Sequence, residues 1–264
     1  MVRLGMPSLT EADTIEQWAA ICAELNLQFV ELNMNFPQCQ LGVMDAKTLK
    51  DAAEKYGIGF TAHLDDNMNI ADFNPYVAEA YKRTTLETIA LAKEAGITVL
   101  NMHLSRGAVY TLPERKLYFF DEYRSDYLAN VRSFRDACEA AIGDANVRIC
   151  VENCNGWLPF MHEALEVLLE SPVFQLTYDI GHNHCAAGMD EPWILAHENR
   201  LKHMHMHDAR RDGQDHLALG TGEMDIRFYH DLARKNDCTV VLETKTLKAL
   251  RESVAWLRQQ GLKA

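Results

Sequence analysis

Residues 202–208 read KHMHMHD, with a histidine at every second position, methionines between them and an aspartate at the end. On an extended backbone successive side chains point to opposite faces. His203, His205 and His207 therefore share one face, and Met204 and Met206 the other. One face is polar and one apolar. What the polar face serves depends on what else the chain brings to it.

Outward from this stretch, short apolar or β-branched runs recur, each followed by a longer stretch with helical periodicity. The strand candidates are VRLGM (2–6), QFVELNM (28–34), IGFTAHL (58–64), TVLNMHL (98–104), VRICVEN (147–153), FQLTYDIG (174–181), LKHMHMH (201–207) and TVVLET (239–244). Eight is the number that closes a parallel barrel. Amphipathic stretches at 13–25, 46–56, 75–95 and 125–141, shorter ones near Leu165, Ile194 and Leu232, and a last one at 247–260 supply the helices. Gly57 and Gly96 stand where a helix should stop, and Thr10 and Asp13 have capping-box spacing. No composition break or linker divides residues 1–264. The expected fold is a single (β/α)8 barrel, α/β in class; a doubly wound open sheet shares the local pattern.

With 48% hydrophobic and 24% charged residues in 264, the chain can bury a large core and disorder is excluded. A formal charge of −12 disfavours nucleic acid as a partner but leaves it open. The seven cysteines lack paired spacing and the first residues lack a long apolar signal core, so a reduced, cytoplasmic protein is expected. No apolar run approaches the roughly 20 residues needed to span a bilayer.

In a closed barrel the carboxyl ends of the strands meet at one face, where active sites lie. Here those ends carry Glu31, His63, His103, Glu152, Asp179, His205 and Glu243. Any one of these polar residues would serve to hydrogen-bond a neighbouring loop. Seven converging on one spot would repel or stay unpaired unless something positive held them, and a divalent cation does that. A mixture of carboxylates and imidazole suits Mn2+, Zn2+, Co2+ or Fe2+ better than calcium, with Mg2+ a further candidate. His205, near the strand end, is the ligand candidate of the opening stretch. His203 lies one step deeper and reads as a hydrogen-bonded interior histidine; His207 receives no assignment.

Glu152 in VEN, Asp179 and His182 in DIGH, His205 in HMHD, DHLALGTGEMD from Asp215, and Glu243 in VLET together resemble, in order along nearly the whole chain, the xylose-isomerase-like barrel superfamily. That superfamily holds sugar-phosphate isomerases and epimerases and the endonuclease-four type of abasic-site nuclease. The resemblance implies a metal held by Glu152, Asp179, His205 and Glu243. Nuclease members add metals on histidines matching His63, His103, His182 and His216, with an aspartate at the place of Gln214; Asp215 is the adjacent substitute. Glu31 matches a glutamate common at the end of the second strand of the isomerases, and Arg211 matches a substrate-contacting arginine of ketose 3-epimerases.

Such a site suits an isomerase or epimerase of a small sugar, sugar phosphate or related hydroxy-carbonyl compound. Glu152 and Glu243 would each ligate with one oxygen and carry a proton with the other, while His182 and Arg211 orient the substrate. A metal-dependent phosphodiesterase and a dehydratase are the alternatives; a barrel with a merely structural metal would favour closed Cys/His ligand sets. Cys150 and Cys154 read as small core residues, and His184 and Cys185 as loop residues. Trp157 is a candidate pocket wall. The long segment SRGAVYTLPERKLYFFDEY (105–123) could cover the substrate, pack against a second subunit in a homo-oligomer, or form a local mini-core.

Overall fold

The computed structural model describes residues 2–154 and 156–262. The elements follow in the order β1 (Arg3–Pro7), α1 (Ile15–Glu24), β2 (Phe29–Asn33), α2 (Ala46–Tyr56), β3 (Gly59–His63), α3 (Pro75–Ala95), β4 (Val99–His103), β5 (Val109–Thr111) and β6 (Lys116–Tyr118). They continue with α4 (Phe119–Glu122), α5 (Arg124–Ile142), β7 (Arg148–Glu152), α6 (Pro159–Leu169), β8 (Phe174–Asp179), α7 (Ile180–Cys185), α8 (Glu191–Ala196), β9 (Leu201–Met206), α9 (Ile226–Lys235), β10 (Thr239–Leu242) and α10 (Leu247–Gln259). Eight parallel strands close in the order β1-β10-β9-β8-β7-β4-β3-β2. This is a (β/α)8 barrel, and its eight strands are the eight runs read from the sequence.

The period of two decides how β9 sits. Met204 and Met206 are buried among apolar side chains of the core, whereas His203 and His205 meet Glu31 and Glu152 inside the barrel. Parallel register aligns His205 with Asp179 of β8 and Val241 of β10, and Glu152 of β7 with His103 of β4. The strand ends bearing polar residues thus come round one rim.

Two local expectations change, and a third segment takes one of the forms left open for it. The cap of α1 is Thr14 rather than Thr10: its hydroxyl accepts from the N–H of Gln17 at 3.2 Å, and Gln17 Oε1 reaches back to the N–H of Asp13 at 2.7 Å. His184 and Cys185 lie on α7, not in a loop, because Asp179 ends β8 and at once caps a helix through the N–H of His182. Segment 105–123 contains the antiparallel hairpin β5–β6 and an aromatic cluster in which Phe120 stacks on Tyr127, with ring centroids 4.3 Å apart, while Tyr127 and Tyr118 meet Phe160. That is a local mini-core against α5 and α6. Gly57 and Gly96 do end α2 and α3, at φ 67° and 79°, left-handed values that favour glycine. No described helix is long and apolar enough to cross a membrane.

Candidate metal centre

His205 is fully buried, and its two nitrogens face different surroundings. Nε2 lies 2.8 Å from Glu31 Oε1. Nδ1 lies 3.2 Å from Glu152 Oε1, 3.2 Å from Glu243 Oε2 and 3.8 Å from Asp179 Oδ2. Carboxylates from β7, β8 and the end of β10 thus each turn one oxygen toward His205 Nδ1. Both His205 nitrogens, Glu243 Oε2 and His182 Nδ1 are buried without a well-formed hydrogen bond. Three carboxylates round one imidazole cannot stay so placed without positive charge. In the metal-free protein a proton supplies it: burial opposes a charged His205, but Glu152, Glu243 and Glu31 hold its pKa well above the ordinary value. Burial likewise opposes ionised Glu152 and Glu243, yet His205 holds both well below the carboxylate range. Donor set and orphaned atoms alike fit a divalent ion in the proton's place.

Glu31 does not line the mouth. It is buried behind His205, its Oε2 2.9 Å from His203 Nε2 and accepting from the Thr61 hydroxyl at 3.0 Å. Although burial would raise its pKa, the two histidines hold Glu31 below the usual carboxylate range. It faces both histidine rings from inside the barrel, where a carboxylate orients a histidine from its far side. His203, interior as read, also contacts Thr239 through Nδ1.

Around this centre lie two imidazole groups. His63 Nε2 and His103 Nε2 stand 3.2 Å and 3.3 Å from Glu152 Oε2, which also accepts from Asn101 Nδ2. His63 Nδ1 contacts the Leu64 carbonyl at 2.8 Å, so Nε2 is its unprotonated nitrogen when the ring is neutral. Burial disfavours the charged ring, but Glu152 lifts the His63 pKa to about 9. On the other side His182, His207 and His216 bring nitrogens within 4.8 Å of one another. Asp215 is 3.9 Å from His182 Nε2, while Gln214 turns to Asp212.

Two residues of this centre escape a reading of the sequence. His207 receives no role there, although the period of two continues to it. Lys245, two residues past Glu243, places its ammonium 2.8 Å from Glu243 Oε1; an ETK tripeptide at a strand end is the only signal. Arg211 is not brought to the centre. A tight turn, in which Arg210 and Gly213 bond each other and Gly213 has φ 91°, faces it into a separate recess beside His184, Glu191 and Tyr229. Trp157 does wall a cleft of ≈ 290 Å³ that opens beside His103, with Asp66, Asn67, Ser105 and Arg106, and its N–H is held by Asp190 at 2.7 Å. Cys150 is buried; burial and then the neighbouring carboxylates push the Cys154 thiol well up, which keeps it protonated.

The model of the xylose isomerase-like TIM barrel family matches residues 12–260. The chain belongs to that family. It is 22% identical over 235 residues to an uncharacterized protein of Methanocaldococcus jannaschii, MJ1614, covering 86% of each. A D-tagatose 3-epimerase-like protein superimposes with a TM-score of 0.77 at 21% identity, over 99% of this chain and 98% of its own. A 3-keto-D-glucoside 4-epimerase from E. coli gives 0.78 at 16% identity, over 98% and 100%. At these identities the solved structures speak for the fold.

Proposed function

We propose that the protein is a divalent-metal-dependent isomerase or epimerase of a small sugar, sugar phosphate or related hydroxy-carbonyl compound, with Glu152, Asp179, His205 and Glu243 as the metal ligands. The observation that carries this reading is the orphaned His205 Nδ1, within 3.8 Å of three carboxylates. Both solved relatives are named for epimerising a carbon beside a ketone, and a cleft of ≈ 290 Å³ lies at the small end of ligand pockets. When bound, the cation supplies positive charge beside the carbon that loses its proton.

The two glutamates carry the proton from separate sides of the barrel rim. Both are held ionised and so are ready to accept one. Glu243 Oε1 has Lys245 beside it, and Glu152 Oε2 has His103, a wall of the cleft. Lys245 thus helps to keep Glu243 ionised until it takes the proton, and His103 stands within reach of the oxygen of Glu152 that would take it. Trp157 gives the substrate an apolar wall.

The imidazoles of His63 and His103 on Glu152 Oε2, with His182 and His216 on the other side, favour one second reading, a phosphodiesterase of the endonuclease-four kind using two or three ions. Gln214, turned away to Asp212, counts against it. Metal analysis of the purified protein joined to an assay separates the two. About one ion per chain, with solvent deuterium entering a ketose, supports the isomerase. Two or three ions, cleavage of abasic DNA and no exchange across a sugar panel overturn it.

A further inference from the structure

His207 is buried completely against the start of α7, so closely that a Cβ on Gly181 would come within 2.0 Å of its ring. Its nitrogens face partners of opposite kind. Nδ1 lies 2.7 Å from the main-chain N–H of His216 and 3.3 Å from the Asp208 carbonyl. The amide can only donate and is the nearer partner, so Nδ1 is the acceptor and Nε2 carries the hydrogen. Nε2 in turn stands 3.1 Å and 3.2 Å from the two oxygens of Asp179. With both nitrogens engaged, His207 has no lone pair left for a cation.

Asp179 is held from a second direction. Its Oδ1 accepts from the N–H of His182 at 2.7 Å as the cap of α7, which leaves Oδ2 as the oxygen turned to His205 Nδ1, 3.8 Å away. The contact that sets the His207 tautomer comes from a strained place: His216 has a left-handed φ of 52°, which a non-glycine residue keeps only where its surroundings enforce it. Asp208 supplies that enforcement. It pairs its main chain with Leu217 and accepts through its side chain from the N–H groups of Ala209, Gly220 and Met224 at 2.9, 2.9 and 3.2 Å, so the loop after β9 is closed on itself.

We infer that His207 is a positioning residue: the main chain of His216 fixes its tautomer, and its Nε2–H holds the Asp179 carboxylate in the orientation that receives the cation. The inference rests on the reading of Asp179 as a metal ligand. It makes the loop after β9 part of the metal site without contributing an atom to it.

Calorimetric titration of the metal-stripped full chain with Mn2+ and Zn2+ tests this, using wild type, His207→Leu, His207→Gln and Asp179→Asn. Leucine fills the space without a donor, and affinity at the tightest site should fall about ten- to a hundred-fold. Glutamine places an N–H near the same point and should recover most of that loss, with the number of ions per chain unchanged. Thermal melting of the metal-free forms is measured alongside. Unchanged affinity in His207→Leu overturns the inference, as does a loss in both variants that merely follows their melting temperatures, or the disappearance of a whole ion from both. If Asp179→Asn loses the cation while His207→Leu keeps it, only this inference fails. If wild type binds no cation, or binds it no better than Asp179→Asn, the proposed metal site fails as well.

Discussion

Glu31→Gln changes one atom of a side chain that three groups address at once. Oε2 takes the Thr61 hydroxyl at 3.0 Å and faces His203 Nε2 at 2.9 Å, and Oε1 stands 2.8 Å from His205 Nε2. A carboxylate can accept on both sides, whereas an amide has one accepting oxygen and one donating nitrogen. Whichever way the substituted amide turns, its N–H group meets one imidazole Nε2, and that ring must either move its hydrogen to Nδ1 or leave N–H facing N–H. A buried donor left unpaired costs about 1–3 kcal/mol, and bulk solvent does not reach it, since Glu31 is 3% exposed and both histidines are at 0%. His205 also loses the group that orients its far side, which should weaken cation binding about 10- to 100-fold. Urea unfolding of the metal-stripped protein reads the first effect and calorimetric metal titration the second. An unfolding free energy within about 0.5 kcal/mol of wild type, with unchanged metal affinity, would refute the view that Glu31 holds the His205 ring.

Glu152→Gln and Glu243→Gln should each abolish turnover more thoroughly than they loosen the metal, because glutamine keeps an oxygen ligand but cannot take the proton. Parallel losses of activity and metal, both restored by excess metal, would reduce the two residues to ligands. Gly181→Ala drives a Cβ into the His207 ring and should destabilise the protein by about 1–3 kcal/mol, as overpacking does; a wild-type melting temperature would show that the ring gives way freely. For pH, burial favours neutral His63 but Glu152 raises its folded pKa to about 9, above the ordinary value of 6.5. Its contribution to stability is then complete below about pH 6.5 and is lost as pH rises through about 9. The melting temperature of the metal-free protein should fall across that window, and less steeply in His63→Gln; equal slopes in the two proteins would contradict the assignment.

By itself the sequence determined the number and type of the barrel strands, because periods of 2 and 3.6 are local properties that a chain displays wherever it lies. It also determined which side chains stand at strand ends, and hence that Glu152, Asp179, His205 and Glu243 would share a rim once the barrel closed. What it could not carry was how deep each residue sits and which way it turns, since those follow from strand register and loop closure across long separations. Glu31 and His203 meet across 172 positions, which puts Glu31 beneath His205 rather than in the mouth. Arg211 faces away because a turn formed by Arg210 and Gly213 swings it outward. His207 and Lys245 gained their places only from neighbours, a main-chain N–H from the next loop in one case and an oxygen of Glu243 in the other. The tertiary structure alone decided those roles, because an imidazole's tautomer and a carboxylate's free oxygen are set by the atoms that surround them, and closing the barrel is what assembles those atoms.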